Sequence, residues 1–172
     1  GPKGIGLLIK KENIVIEPLI HGGKSTTPYR SGTPPLPLIA GLTKALELSI
    51  PNVDKNYDYI EKLSDRVKEK LSTYKNVHIN STNNSIPHTI NFSLKNIKPE
   101  TFIHALEEKE IYISTKSACS KSDSISKSVF ALTNDYELSN TTLRISISCM
   151  TTESEIDYFL STFDECINKL NL

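Results

Sequence analysis

The sequence has few of the features that mark disulfide-linked, metal-binding or membrane proteins. Three cysteines occur in 172 residues, and their odd number and wide spacing argue against a disulfide framework and fit a reducing compartment. No Cys-x-x-Cys or His-x-x-x-His spacing occurs, so we predict no metal site. Apolar runs extend over only a few residues, far fewer than a membrane-spanning helix requires.

The sequence also lacks an excess of charge of either sign. Lys and Arg total 20, and Asp and Glu also total 20, so no net field attracts nucleic acid or an anionic membrane. We therefore expect a globular, cytoplasmic protein with no membrane and no direct nucleic-acid partner. The single methionine is Met150, and the chain opens with Gly-Pro-Lys-Gly-Ile-Gly followed directly by an apolar segment. We expect the chain to begin inside a larger protein.

The pattern of apolar residues predicts an α/β architecture, a small sheet covered by helices. Asp54 is the predicted N-cap of one helix, and Thr152 to Glu155 form a capping box for the last. Predicted strands lie at 6–10, 14–20, 77–79, 88–94, 111–113 and 143–147, and predicted helices begin near residues 38, 54, 99, 125 and 152. Residues 1–34 have strands without helical cover, so we expect them to belong to a different sheet from residues 35–172.

Cys119 is the candidate nucleophile. It lies in Ser-Thr-Lys-Ser-Ala-Cys-Ser-Lys, residues 114–121, with a lysine on either side, and nearby cations favour the reactive thiolate. No apolar residue larger than alanine lies between Ser114 and Ser124, so we predict a flexible loop that solvent reaches. The alternative is that this thiol is a small hydrophobic filler, the commoner role of a lone cysteine.

A second segment, residues 21–33, has the composition of an anion-binding loop. Its glycines allow backbone N–H groups to turn toward a ligand. Arg30 offers a planar guanidinium to phosphate or carboxylate oxygens, and Ser31 and Thr33 offer hydroxyl donors. The alternative is a loop crossing between domains, in which the glycines serve turns and Arg30 pairs with a nearby carboxylate.

Five segments occur in the same order as in the NifS/IscS-like cysteine desulfurases, which belong to the class V aminotransferase family of pyridoxal phosphate (PLP) enzymes. They are GPKGIG (1–6), EPLIHGG (17–23), RSGT (30–33), SACS (117–120) and LRISISCMTTESEID (143–157). One tetrapeptide is a weak signal, but five in register over most of the chain make coincidence improbable. The sequence therefore resembles this family from its first residue to near its last.

The resemblance implies a fold and a reaction. Residues 35–172 would form the C-terminal small domain of a fold-type I PLP enzyme, and residues 1–34 the last strands of its large PLP-binding domain. In this family PLP withdraws electrons from the α-carbon of L-cysteine while a loop cysteine, here Cys119, attacks the substrate's sulfur. The products are L-alanine and a persulfide on that cysteine. The sulfur then passes to an acceptor, such as an iron–sulfur scaffold or a tRNA-thiolation enzyme.

The resemblance also implies roles for individual residues. Arg144 matches the arginine that binds the substrate's α-carboxylate; the alternative is a strand arginine paired at the surface. Thr33 matches a residue that reaches the PLP phosphate of the partner subunit, which implies a homodimer, and Arg30 stabilises the same cofactor-binding loop. Cys149 and Cys166 are expected to be packing residues.

The sequence departs from the family pattern in three places. The family's Schiff-base lysine lies a few residues before the GPKG segment, so it would precede Gly1, and Lys3 falls at the wrong position. We therefore expect the fragment alone to be inactive and not to bind PLP covalently. Lys116 stands where relatives usually have glycine, and residues 148–150 replace a more usual Gly-Arg-aromatic run.

Three other functions compete with a desulfurase. The first is a different class V enzyme, such as a selenocysteine lyase. The second is a non-catalytic module, excised or truncated, that docks partners or carries sulfur passively. The third is a rhodanese-like carrier, which the anion-type loop elsewhere in the chain disfavours.

Overall fold

Among the residues that the structure describes, the first helix begins at Leu36. In this computed structural model, the described residues are 1–23, 27–115 and 125–170. The helices are α1 (Leu36–Ser49), α2 (Val53–Leu71), α3 (Pro99–Glu107), α4 (Lys127–Thr133), α5 (Tyr136–Asn140) and α6 (Glu153–Lys169), and the strands are β1 (Val77–Ile79), β2 (Thr89–Leu94) and β3 (Thr142–Ser146). Two compact units divide the chain, Gly1–Asp54 and Lys55–Leu172. The assignment of 1–34 and 35–172 to the large and small domains of a PLP enzyme stays a prediction.

The strands predicted at 6–10 and 14–20 are not formed; both segments have irregular backbone. The polar turn between them is present, because the backbone N–H of Ile14 donates to the carbonyl of Lys11 over 3.1 Å. Apolar side chains on both segments are exposed, with Ile9 at 85% and Val15 at 91%. A strand needs a neighbour to accept its backbone hydrogen bonds and cover its apolar face. Among the described residues these two segments have no such neighbour.

Helix α1 follows a proline-rich segment, and its start two residues before the predicted position has a local cause. Pro37 lies in the first turn, where its fixed φ suits a helix and its missing N–H leaves no hydrogen bond unmade. Ile50 keeps helical backbone angles, with φ −58° and ψ −45°, and the chain tightens there into a 3₁₀ turn, Ile50–Asn52, that contains Pro51 in its first turn. The predicted helix is therefore confirmed, and it ends at Ser49.

The sheet of the second unit is antiparallel, in the order β1-β2-β3. Alternation along the strands gives it one apolar and one polar face. Ile90 and Phe92 of β2 and Leu143 and Ile145 of β3 are buried in the core. Thr89 and Asn91 of β2 and Thr142 and Arg144 of β3 alternate with them, so they share the other face.

The apolar face packs on helices α2, α3 and α6. Phe163 of α6 is fully buried at the centre of this core. Its ring centroid lies 5.0 Å from that of Phe102, 5.3 Å from Tyr74, 5.8 Å from Phe159 and 6.0 Å from Phe92. This cluster fixes the sheet against the helices on the face away from Arg144.

Local signals located most elements from α2 onward, with three exceptions. Asp54 lies in the first turn of α2 instead of at its N-cap. Residues 111–113 form no strand; within the described residues around them, the pairing is a single bridge between Ser114 and Arg144. Helix α5 was missed, since five residues are too few to show a helical period. The capping box at the start of α6 is confirmed, because the Thr152 hydroxyl accepts from the backbone of Glu155 and the Glu155 carboxylate accepts from that of Thr152.

Within 1–23, 27–115 and 125–170, no helix combines the length and apolar character needed to cross a membrane.

Candidate functional site

A cavity of about 570 Å³ lies over the polar face of the sheet. Its floor is made by side chains of β2 and β3, and one wall by α4. The lining residues are Asn80, Ser81, Ser85, Ile86, Thr89, Asn91, Thr115, Ser126, Lys127, Ser128, Val129, Leu132, Thr142 and Arg144. Most of these side chains carry hydroxyl, amide or cationic groups, so the cavity suits a small polar ligand.

Arg144 is part of the cavity floor. It belongs to β3, which lies between β2 and the segment around Ser114. The backbone N–H of Arg144 donates to the carbonyl of Ser114 over 2.7 Å, and the Ser114 N–H donates to the carbonyl of Arg144 over 3.1 Å. Strand pairing on both sides therefore holds the backbone of Arg144 in place, and the residue is half-buried.

The guanidinium has no acidic partner among the described residues. None of the ion pairs formed there includes Arg144, and its Nε atom is buried without a hydrogen-bond acceptor. The alternative that Arg144 is a strand arginine paired at the surface finds no support in this part of the chain. A buried donor without an acceptor costs stability, so the arrangement favours a ligand that supplies the acceptor.

The charges around the cavity favour an anion. Arg144 and Lys127 both line it, and Asp and Glu are absent from its described lining. A guanidinium presents parallel N–H groups that match the two oxygens of a carboxylate. The site can therefore bind and orient a small carboxylate.

Three lining residues that the sequence did not point to complete the floor: Asn80, Asn91 and Thr142. The Asn80 amide nitrogen donates to the Asn91 side-chain oxygen over 2.8 Å, and the Thr142 hydroxyl donates to the same oxygen over 2.8 Å. The only sequence signal for this group is the alternation of β2 and β3, which places 91, 142 and 144 on one face once the register is known.

Cys119 lies outside the described residues, as do Lys116 and Lys121. The described residues on either side of 116–124 approach the cavity: Thr115 comes directly before that segment and Ser126 two positions after it, and both line the cavity. The Ser126 hydroxyl also caps α4 by accepting from the backbone of Val129.

The other two cysteines are placed differently from each other. Cys166 is buried in the core at 3% exposure, and burial raises the pKa of its thiol. The prediction that it is a packing residue is confirmed. Cys149 is exposed, so the same prediction was wrong there: it follows β3, where the chain leaves the core at Ser148 and enters a turn.

Arg30 and Thr33 belong to the first unit, and both are exposed. Arg30 lines a cavity of about 330 Å³ together with residues of the GPKGIG segment. Gly32 between them has φ +103°, and a Cβ there would lie 3.4 Å from Nη1 of Arg30, so glycine permits this bend. The neighbouring Ser31 hydroxyl donates to the carbonyl of Ile20 over 3.3 Å.

The fold and the cavity agree with a match to a known family. The family model "Aminotransferase class-V" matches residues 1–159, and the chain belongs to this family. The class is therefore that of the PLP-dependent class V enzymes, and the relatives are cysteine desulfurases of the NifS/IscS type.

Two relatives and one solved structure show this similarity. The chain is 36% identical over 169 residues to a NifS/IcsS protein homolog of Lactobacillus delbrueckii subsp. bulgaricus, covering 96% of this chain and 44% of the relative. It is 33% identical over 173 residues to the cysteine desulfurase IscS of Dictyoglomus turgidum, covering 99% and 44%. A NifS-like protein of Rickettsia africae superimposes with a TM-score of 0.74 at 29% identity, over 91% of this chain and 41% of that one. The chain thus spans less than half the length of these proteins.

The residues of the first unit fit the phosphate end of PLP. Arg30 forms no ion pair with any described residue, and the hydroxyl-bearing Thr33, three positions later in sequence, is exposed. A free guanidinium and a hydroxyl are the donors that phosphate oxygens accept. These residues would hold the phosphate, and the group's electron-withdrawing ring would supply the chemistry at the substrate's α-carbon.

Proposed function

We propose that this chain is the C-terminal part of a PLP-dependent cysteine desulfurase. The reaction is Cys119–SH plus L-cysteine giving Cys119–S–SH plus L-alanine. The Cys119 sulfur bonds to the substrate's sulfur as the carbon–sulfur bond breaks, and the substrate's β-carbon gains the proton. The sulfur then passes to an acceptor protein for iron–sulfur cluster, thio-cofactor or tRNA synthesis, in the cytoplasm.

The observation that carries the proposal is the guanidinium of Arg144, which has no acidic partner among the described residues and lies in a cavity whose described lining has no acid. In this role Arg144 binds the α-carboxylate of L-cysteine and orients the amino acid. Because its backbone is held on both sides, the carboxylate's position is fixed relative to the sheet, which is the condition for a productive geometry.

Chain connectivity supports the role of Cys119. Cys119 is four positions after Thr115 in sequence, and Thr115 lines the cavity wall. An extended chain spans at most about 3.5 Å per residue, so the Cα atom of Cys119 stays within about 14 Å of that of Thr115. A thiol tethered at this distance is close enough to visit the cavity and to leave it for an acceptor, as sulfur transfer requires.

The complete enzyme in this proposal is a homodimer, in which Arg30 and Thr33 serve the phosphate of PLP and Thr33 reaches across to the partner subunit. The 172-residue chain alone is inactive, because the family's Schiff-base lysine matches none of its lysines. The exposure of the Arg30 and Thr33 side chains in the first unit supports the cofactor-binding part of this proposal.

The test uses the complete protein that carries these residues, supplied with PLP, L-cysteine and a thiol reductant. Sulfide and alanine should form in equal amounts. Cys119→Ser should abolish sulfide release and leave the PLP absorbance, and the matched control Cys149→Ser should keep full turnover. Sulfide release by Cys119→Ser would refute the proposed nucleophile, and turnover of L-selenocysteine alone would indicate a selenocysteine lyase instead.

A further inference from the structure

We propose that the amide nitrogen of Asn91 is a second hydrogen-bond donor to the carboxylate that Arg144 binds. The inference rests on the proposed function, because both residues line the same cavity. It adds to Arg144 a binding residue that fixes the direction of the carboxylate.

The two residues face each other across the sheet. Asn91 of β2 is the register partner of Arg144 of β3. The backbone groups of Arg144 bond to Ser114, and those of Asn91 bond to Asn80 and Ser81, on the opposite edge of β2. The pair is therefore the kind that shares no backbone hydrogen bonds, in which the Cα atoms lie about 4.5 Å apart and the side chains are closest.

Hydrogen bonding fixes which end of the Asn91 amide faces the cavity. The Ser93 hydroxyl has a single hydrogen and donates it to the carbonyl of Leu138 over 2.7 Å. Its contact with Asn80 at 2.8 Å must therefore be accepted from the amide nitrogen of Asn80. The other hydrogen of that nitrogen points to the side chain of Asn91, so the atom of Asn91 that it meets is the oxygen.

With its oxygen held, Asn91 presents its nitrogen as a free donor. Both lone pairs of the oxygen are used, one by Asn80 and one by Thr142, so this oxygen cannot accept from Arg144. The Asn91 amide nitrogen donates to no described atom, and it is not among the buried polar atoms that lack a partner, so it is open to the cavity. Two neighbouring side chains therefore offer donors with no acceptor between them, an arrangement that a carboxylate completes.

The test is an NMR titration of the ¹⁵N-labelled 172-residue chain with sodium propionate, and with propionamide as the uncharged control. Propionate should shift the side-chain resonances of Asn91 and Arg144 saturably, and propionamide should not. Asn91→Ala should weaken propionate binding about tenfold, since a hydrogen bond to a charged group is lost. Asn91→Asp should abolish it, because a carboxylate would then face the anion.

Controls separate binding from folding. Asn168→Asp, which adds the same charge at an exposed position on α6, should bind propionate like the parent chain. Asn91→Asp should also unfold at no lower urea concentration than the parent, because the new carboxylate pairs with Arg144; a lower midpoint with retained binding would overturn the inference. The Asn91 inference is overturned, and the proposed function is not, if propionate shifts Arg144 saturably, leaves Asn91 unchanged and binds Asn91→Ala with normal affinity. Absence of any saturable shift at Arg144 overturns the carboxylate role in the proposed function as well.

Discussion

Phe163 should dominate the stability of the second unit. Its side chain is fully buried, and four aromatic rings lie within 6.0 Å of it, centroid to centroid. Phe-to-Ala changes at such sites cost about 3–5 kcal/mol, and each aromatic pair adds about 0.5–1.5 kcal/mol beyond area burial. Because all four pairs are lost together, we expect Phe163→Ala to lose about 4–5 kcal/mol, near the upper end of that range.

Urea unfolding followed by circular dichroism at 222 nm measures this loss. For a domain of this size a loss of about 4 kcal/mol lowers the midpoint by roughly 2 M. Phe130→Ala is the matched control, since Phe130 lies on α4 in the same unit and is 37% exposed; it should lose about 1 kcal/mol or less. A loss below about 1 kcal/mol in Phe163→Ala, or equal losses in the two variants, would refute the reasoning.

Two further predictions concern α6 and the cysteines. The backbone N–H of Thr152, with its hydroxyl, lowers the pKa of Glu155 from 4.5. The ionised Glu155 side chain therefore stabilises the folded protein above pH 4.5. This stabilisation is lost as the pH falls through the lower pKa that Glu155 has in the folded state. Thermal melts should show Glu155→Gln less stable than the parent at neutral pH and equal to it in acid; a gap independent of pH would contradict this. Iodoacetamide should label Cys149 in the native chain, whereas the buried Cys166, whose pKa is raised by burial, should react only after unfolding. Equal native rates, read by peptide mass spectrometry, would show that the core does not protect Cys166.

Elements with local signals were predictable from the sequence. Strand β1 and the start of α3 at Pro99 agree with prediction to the residue, because alternation and a first-turn proline act through neighbouring residues. The capping box of α6 belongs to the same class. The predicted strands at 6–10 and 14–20 depend instead on a partner, and no local pattern shows whether a partner is present.

The site was predictable only in part, for a related reason. Arg144 emerged from the family motif. The pairing of Asn91 with it depends on the register of β2 against β3, which the turn geometry and the core decide together. The orientation of the Asn91 amide depends further on Ser93 and on the carbonyl of Leu138, 45 positions away in sequence. Such a chain of contacts has no signature in composition or periodicity.

If Arg144 binds a carboxylate as proposed, its buried Nε atom without an acceptor is a loss of folding stability that binding requires. Ion pairs elsewhere in the described chain join side chains that are mostly well exposed, for example Lys44 with Glu47, and pairs of that kind contribute about 0–1 kcal/mol. A half-buried arginine would gain more from a carboxylate, and position 91 is where the fold could supply one. Position 91 instead carries the amide of Asn91, whose side-chain oxygen already accepts hydrogen bonds from Asn80 and Thr142. Sites that leave polar groups unsatisfied in this way are those where activity conflicts with stability. If Arg144 had only a structural role, an aspartate at position 91 would raise folding stability without loss of activity. On the present interpretation, that aspartate would occupy the place of the substrate's carboxylate.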